Sequence, residues 1–185
     1  DNGHEVRVWE YDRAQAEAVR REGENRKFLP GVPVPSSVSV THDMDEAVLG
    51  AEVVVFAVPS HVVRSAAGLA RDSLPKEVPV VNVAKGIENN TLMRMSEVLS
   101  EELGRTGARG ISSLVGPSHA EEVSGRLPTT VVAAALEEKT AVDTRNLFMT
   151  DYLRVYTNTD LVGVELGVSL KNVIAIAAGI CDGLG

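Results

Sequence analysis

Cysteine is nearly absent from this chain: Cys181 is the only one in 185 residues. One thiol excludes an internal disulfide framework and fits a reducing compartment, so the cytoplasm is the expected location. Metal-ligand spacing is missing too. The four histidines, His4, His42, His61 and His119, form neither an HxH nor an HExxH pattern, and no metal is expected. No serine sits in a GxSxG nucleophile elbow. Internal repeats, low-complexity tracts and a signal-peptide pattern at the opening residues are all lacking. Positive charge is in deficit, 18 Lys and Arg against 26 Asp and Glu, for a formal charge of −8. That argues against a nucleic-acid or anionic-membrane surface, while a local group of lysines can still hold a small anion.

What is present is ample apolar material, 44% of residues, enough for one packed domain and the start of another. The chain opens on DNGH and runs at once into the strand-like HEVRVW, His4 to Trp9. An exposed helix is expected over Arg13–Glu22, then the proline-punctuated connection Phe28–Pro35, a strand at Ser37–Thr41, and a short helix at Asp43–Leu49 with Asp43 as N-cap. Ala51–Val58 is apolar on both faces, as a central parallel strand would be. Helix Val62–Arg71, strand Val78–Val83, helix Thr91–Leu103, a loop at Gly104–Gly110 and strand Ile111–Val115 follow. Strand Thr129–Ala135, helix Glu137–Phe148 and strand Tyr152–Thr157 complete the alternation. The βαβα order predicts an α/β, doubly wound Rossmann-like sheet over residues 1–157, followed by the start of an all-helical domain over 158–185. Both ends look cut, and the whole protein is expected to be longer.

Chemistry concentrates where predicted strands end. Glu10, Tyr11 and Asp12 follow the first strand, where an acidic residue takes ribose hydroxyls and leans the choice toward NAD. Equally, acidic residues there can simply start a helix. Pro59-Ser60-His61 follows a second strand. Ala84-Lys85-Gly86 follows a third, the glycine letting the backbone turn close to a ligand. Gly116-Pro117-Ser118-His119-Ala120 follows a fourth and suggests a cradle of backbone N–H groups for an anion or polar ligand. Finally, GVELGVSLKNVIAIAAGICDGLG is a nearly uncharged helical run, capped by Asp160, in which Glu165 and Lys171 are the only ionisable residues between Leu161 and Cys181. Helical spacing sets Lys171 in a small apolar stripe with Val164, Gly167, Val168, Ile174, Ala175 and Ala178. An ammonium desolvated there would favour its neutral form and could act as acid or base; alternatively it snorkels to water or pairs with a carboxylate such as Glu165. The run is near the length of a membrane span, but Glu165, Lys171, Asn172 and its glycines argue for a buried helix instead.

In this order, NGHEVRVW, ENRKFLPGV, AVPS, VAKGIE, GPSHAEEV, LPTTVV, LRVYTN and the final glycine-flanked run resemble the bacterial-type NAD(P)-dependent glycerol-3-phosphate dehydrogenases, across essentially the whole chain. The resemblance implies reversible hydride transfer between a nicotinamide and dihydroxyacetone phosphate, in the service of glycerophospholipid synthesis. It implies that Lys171 is the proton donor or acceptor, with Asn172 ordering the substrate. Lys85 would meet both cofactor and substrate, Gly116 and Ser118 the substrate, and Ala120 the cofactor. Glu10 and Tyr11 would neighbour the adenosine end, NAD being favoured and NADP possible. The family's first strand and GxGxxG-like loop are absent, its arginine-bearing phosphate site would lie beyond residue 185, and Val168-Ser169 stands where Gly-Ala is usual. A cytoplasmic homodimer with a small phosphate substrate, no nucleic acid and no stable membrane insertion is implied. A hydroxy-acid or ketopantoate-type dehydrogenase and a non-catalytic nucleotide-binding derivative are the competing readings.

Overall fold

A computed structural model describes residues 2–104 and 110–185. Its elements run β1 (Val6–Trp9), α1 (Arg13–Glu22), β2 (Val38–Thr41), α2 (Met44–Val48), β3 (Val54–Phe56), a 3-10 turn (Ser60–Val62), α3 (Val63–Ala70), β4 (Val80–Asn82), α4 (Met95–Leu103), β5 (Ile111–Val115), α5 (Ala120–Ser124), β6 (Thr129–Ala135), α6 (Glu138–Phe148), β7 (Leu153–Asn158) and α7 (Leu161–Leu184). The expected loop at Gly104–Gly110 lies largely outside the described residues. Asp43 and Asp160 cap as expected, their Oδ1 atoms accepting from Glu46 N at 3.0 Å and Gly163 N at 2.8 Å.

The strands form two sheets. β1 and β2 pair in parallel, while the larger sheet has the order β3-β4-β5-β6-β7. β3, β4 and β5 are parallel, and so are β6 and β7. The β5–β6 pair is antiparallel, which departs from an all-parallel winding. The reason is local: the chain leaves β5 at its carboxyl end, makes only the five-residue α5, and re-enters the sheet from that same end. A helix so short cannot carry the chain back to the opposite edge before the next strand. β7 therefore delivers α7 to the amino edge of β5, and α7 climbs back toward the carboxyl edge.

Packing follows the periodicities. Val63, Ala66, Ala67 and Ala70 of α3 meet Met95, Val98, Leu99 and Leu103 of α4 and the sheet residues Phe56 and Val80, all buried. These are i, i+3, i+4, i+7 in α3 and i, i+3, i+4, i+8 in α4, so each helix commits one face to the core. The second cluster joins Val81, Leu114, Val131, Ala133 and Val155, with Phe148 closing it from α6. β4 is buried at every residue, Asn82 included, as befits a strand with neighbours on both sides.

Only the first turns of α7 lie on the sheet. Leu161 and Glu165 are buried, whereas every residue from Lys171 onward is exposed, Ile174 at 70%. This corrects the expectation of a wholly buried helix. The reason is length: 24 residues span about 36 Å, while a five-residue strand such as β5 offers about 17 Å. Among the described residues α7 is the one helix long and apolar enough to cross a membrane by length and composition, yet its first third is tied to β5 and β6.

Leu99 is fully enclosed between α3 and the sheet. Leu99→Ala is expected to destabilise the full-length protein by about 2–5 kcal/mol, measured as a shift in the urea midpoint; an unchanged midpoint would contradict this core.

Candidate active site at the carboxyl edge of the sheet

The turn after β4 is built from the inside. Asn82 is fully buried, and a bare amide there must find partners. Its Oδ1 accepts from Ala84 N at 3.0 Å, and its Nδ2 donates to Ala84 O at 3.0 Å and to Ser113 Oγ of β5 at 3.3 Å. The side chain thus replaces ladder bonds that the strand gives up as it leaves the sheet. Gly86 then adopts φ +144°, and a Cβ there would lie 2.6 Å from Ser60 Oγ, so only glycine allows the turn to pass the Pro59-Ser60-His61 segment. Just beyond, Glu88 takes Arg64 of α3 in a two-pronged ion pair at 2.8 and 2.9 Å. Arg64 holds the Glu88 carboxyl down to about 2, and Thr91 adds a hydrogen bond to it.

Held at both ends, the turn aims Lys85 across the edge. Its Nζ donates to Ser118 Oγ at 3.3 Å and approaches Ser118 O at 3.5 Å. Ser118 is fixed in turn by its N–H to Gly116 O at 2.9 Å. Gly116 is required by close approach: a Cβ would sit 2.8 Å from Thr130 O and 2.9 Å from Val131 Cα. Ala120 opens α5, but that helix is five residues long with Glu121 and Glu122 in its first turn. Two carboxylates there favour the start of that helix, and Lys85 brings a cation to this edge.

The second cation arrives on α7. Glu165, 4% exposed, accepts from Ser113 Oγ at 2.7 Å and Ser96 N at 3.0 Å on Oε1, and from Ser96 Oγ at 2.6 Å and Arg94 Nη1 at 2.8 Å on Oε2. Glu165 is therefore not the partner of Lys171. Six residues on, about 9 Å along the axis, Lys171 emerges at the carboxyl edge. It is exposed, so the desolvating apolar stripe expected around it is not formed by the described residues. Its charge nonetheless reaches Lys85, whose pKa is lowered first by burial and then by Lys171. Neither lysine has a carboxylate partner among the described residues. Two like charges that feel each other without a counter-ion give this edge a local positive potential in a chain of net charge −8. Asn172 follows on the exposed part of α7.

Residues 1–141 match the family model described as NAD-dependent glycerol-3-phosphate dehydrogenase N-terminus, and residues 160–185 match its C-terminus. The chain belongs to this dehydrogenase family. The glycerol-3-phosphate dehydrogenase [NAD(P)+] of Moorella thermoacetica is 49% identical over 99% of the chain and 53% of that protein. That of Bacillus velezensis is 45% identical over 100% of the chain and 54% of the relative. The crystal structure of glycerol-3-phosphate dehydrogenase from Coxiella burnetii superposes with a TM-score of 0.86 at 30% identity, covering 97% of this chain and 54% of that one. The chain thus spans about half the length of these glycerol-3-phosphate dehydrogenases.

At the end of β1, the helix-starting role belongs to Asp12: its Oδ1 accepts from Ala14 N at 2.9 Å and caps α1. Glu10 Oε1 accepts from Asp12 N at 3.0 Å, and Tyr11 stands 81% exposed, edge-on to Trp9 at 6.2 Å. These residues lie on the separate β1–β2 sheet and make no hydrogen bond to Lys85, Ser118 or Lys171. Sequence reasoning missed Asn82, Ser96, Ser113 and Arg94. The signal was available for two of them: an asparagine in VVNV and paired serines in ISSLV interrupt strands otherwise apolar on both faces, and buried polar residues need partners.

Because Glu88 carries a depressed pKa, its stabilisation is complete above the ordinary 4.5 and lost as pH falls through the folded value. The stability gap between wild type and Glu88→Gln should be constant from pH 7 to 5 and narrow to roughly half by pH 3, read by urea unfolding across pH. A gap unchanged at pH 3 would remove the Arg64 tie. Gly86→Ala should lower activity by loosening the Lys85 turn, since both its φ and the Ser60 contact forbid a side chain; wild-type kinetics in that variant would contradict the close approach.

Proposed function

We propose that the full-length protein interconverts dihydroxyacetone phosphate and sn-glycerol 3-phosphate by hydride transfer with a nicotinamide cofactor. The observation that carries this reading is Lys85 held against Ser118 at the carboxyl edge of the sheet, the edge at which open α/β sheets bind ligands, within reach of the charge of Lys171. When bound, the nicotinamide gives or takes the hydride. Hydride reaching a ketone carbon leaves negative charge on its oxygen, and Lys171 stabilises that charge and supplies the proton. Asn172 orders the substrate. Lys85 offsets substrate and cofactor charge, Ser118 and the Gly116 backbone hold substrate, and Ala120 borders the cofactor.

The residues present fit two parts of such a cofactor. Glu10, with an oxygen left over beyond its bond to Asp12 N, and Tyr11 suit the adenosine ribose, and Lys85 suits the nicotinamide end. No glycine-rich phosphate loop occurs within residues 1–185. An acidic residue at the ribose position favours NAD over NADP, whose 2′-phosphate it would repel. Residues 158–185 begin the helical substrate domain in this reading. Its exposed apolar flank, including Val173, Ile176 and Ile180, suits burial there. From the resemblance follow a cytoplasmic homodimer and a product that enters glycerophospholipid synthesis.

Lys171→Ala in the full-length protein should cut kcat for dihydroxyacetone phosphate reduction by about 10²–10⁴-fold, in steady-state assays at saturating cofactor. Normal turnover would remove the proposed role. The ratio of kcat/KM for NADH over NADPH should exceed one, and a clear preference for NADPH would overturn the reading of Glu10 and Tyr11.

A further inference from the structure

Lys85 and Lys171 stand on different elements, the charge of one felt at the other, and one buried polar chain joins those elements. Asn82 shapes the turn that bears Lys85 and donates to Ser113 Oγ at 3.3 Å. Ser113 donates its own proton onward to Glu165 Oε1 at 2.7 Å. Glu165 sits on the helix that bears Lys171 and is locked from its other side by Ser96 and Arg94. Its carboxylate has four donors on two oxygens, and Asn82, Ser113 and Glu165 are at most 4% exposed. Arg94 is itself oriented by Glu97 at 2.8 Å. We propose that Glu165 is a positioning residue, which through Ser113 and Asn82 registers α7 against the β4 turn so that Lys171 stands opposite Lys85.

The geometry favours this over a merely adhesive contact. A helix that packs by apolar side chains alone can slide or rotate by part of a turn at little cost, because ridges and grooves tolerate scatter. A carboxylate gripped by four directed donors cannot, since each must stay within hydrogen-bond reach. Six residues separate the grip from Lys171, so a slip of one residue at Glu165 would swing Lys171 by about 100° around the axis. Burying a charge for adhesion alone is costly, and an apolar residue of similar size would dock the helix as well.

This inference rests on the proposed dehydrogenase reading, and the test separates the two. In the full-length protein, Ser113→Ala removes one donor gently, and Glu165→Gln removes the charge. With cooperative thermal melting retained, each should lower kcat for dihydroxyacetone phosphate by ~10-fold or more, with KM for the reduced cofactor within about twofold. Placed on a Lys171→Ala background, Glu165→Gln should cost nothing further, because the group it positions is gone. Wild-type kcat in folded Ser113→Ala and Glu165→Gln, or an equal loss with and without Lys171, would overturn the positioning role. If wild type fails to reduce dihydroxyacetone phosphate, the dehydrogenase reading falls, and positioning is then judged without turnover. The rate of Lys85 acetylation by trace acetic anhydride at pH 8, read by peptide mass spectrometry, should fall about twofold in both Glu165→Gln and Lys171→Ala. A fall in Lys171→Ala alone would overturn it.

Discussion

One buried carboxylate sets the arrangement of this molecule. Glu165 enters a space between β5 and α4 that would be costly for a charge without partners, and it is tolerated because Ser96, Ser113 and Arg94 satisfy both oxygens. Everything C-terminal to it on α7 inherits its position from that grip. The remainder of the helix runs free of the sheet, its direction set by the docked first turns that hold Leu161 and Glu165.

The rest of the site is a consequence of where strands stop. β4 and β5 end side by side in parallel, so the turns after them, carrying Lys85 and Ser118, face each other. β6 re-enters antiparallel against Gly116, which permits β7 to deliver α7 to the far edge. A parallel β6 would have delivered the helix to the opposite edge and sent Lys171 away from Lys85. The antiparallel step, the closeness at Gly116 and the placement of the second lysine are thus one topological fact. The Arg64–Glu88 pair on the outer side keeps the Lys85 turn from drifting outward.

Much of this was legible in the sequence. Alternation and apolar runs gave the strands in order, Asp43 and Asp160 announced their caps, and turns rich in glycine after strands marked the edge at which ligands bind. Three things were not legible. The direction of β6 depends on how far α5 extends, and propensity does not determine that length. The exposure of Lys171 depends on how much sheet lies beneath α7, which its apolar stripe does not reveal. The partner of Glu165 comes from residues 52 to 71 positions away, and no local pattern links them. Asp12 shows the converse: two local readings were available, and its side chain is spent on the cap of α1.

One carboxylate, Glu165, is expected to place two amines on one ligand. The most direct measurement is a crystal structure of the full-length protein with dihydroxyacetone phosphate bound. The expected result has Glu165 still held by Ser96, Ser113 and Arg94, with the Nζ atoms of Lys85 and Lys171 both within hydrogen-bond reach of the same molecule. A structure with Glu165 turned out to solvent, or with the ligand touching neither amine, would contradict it.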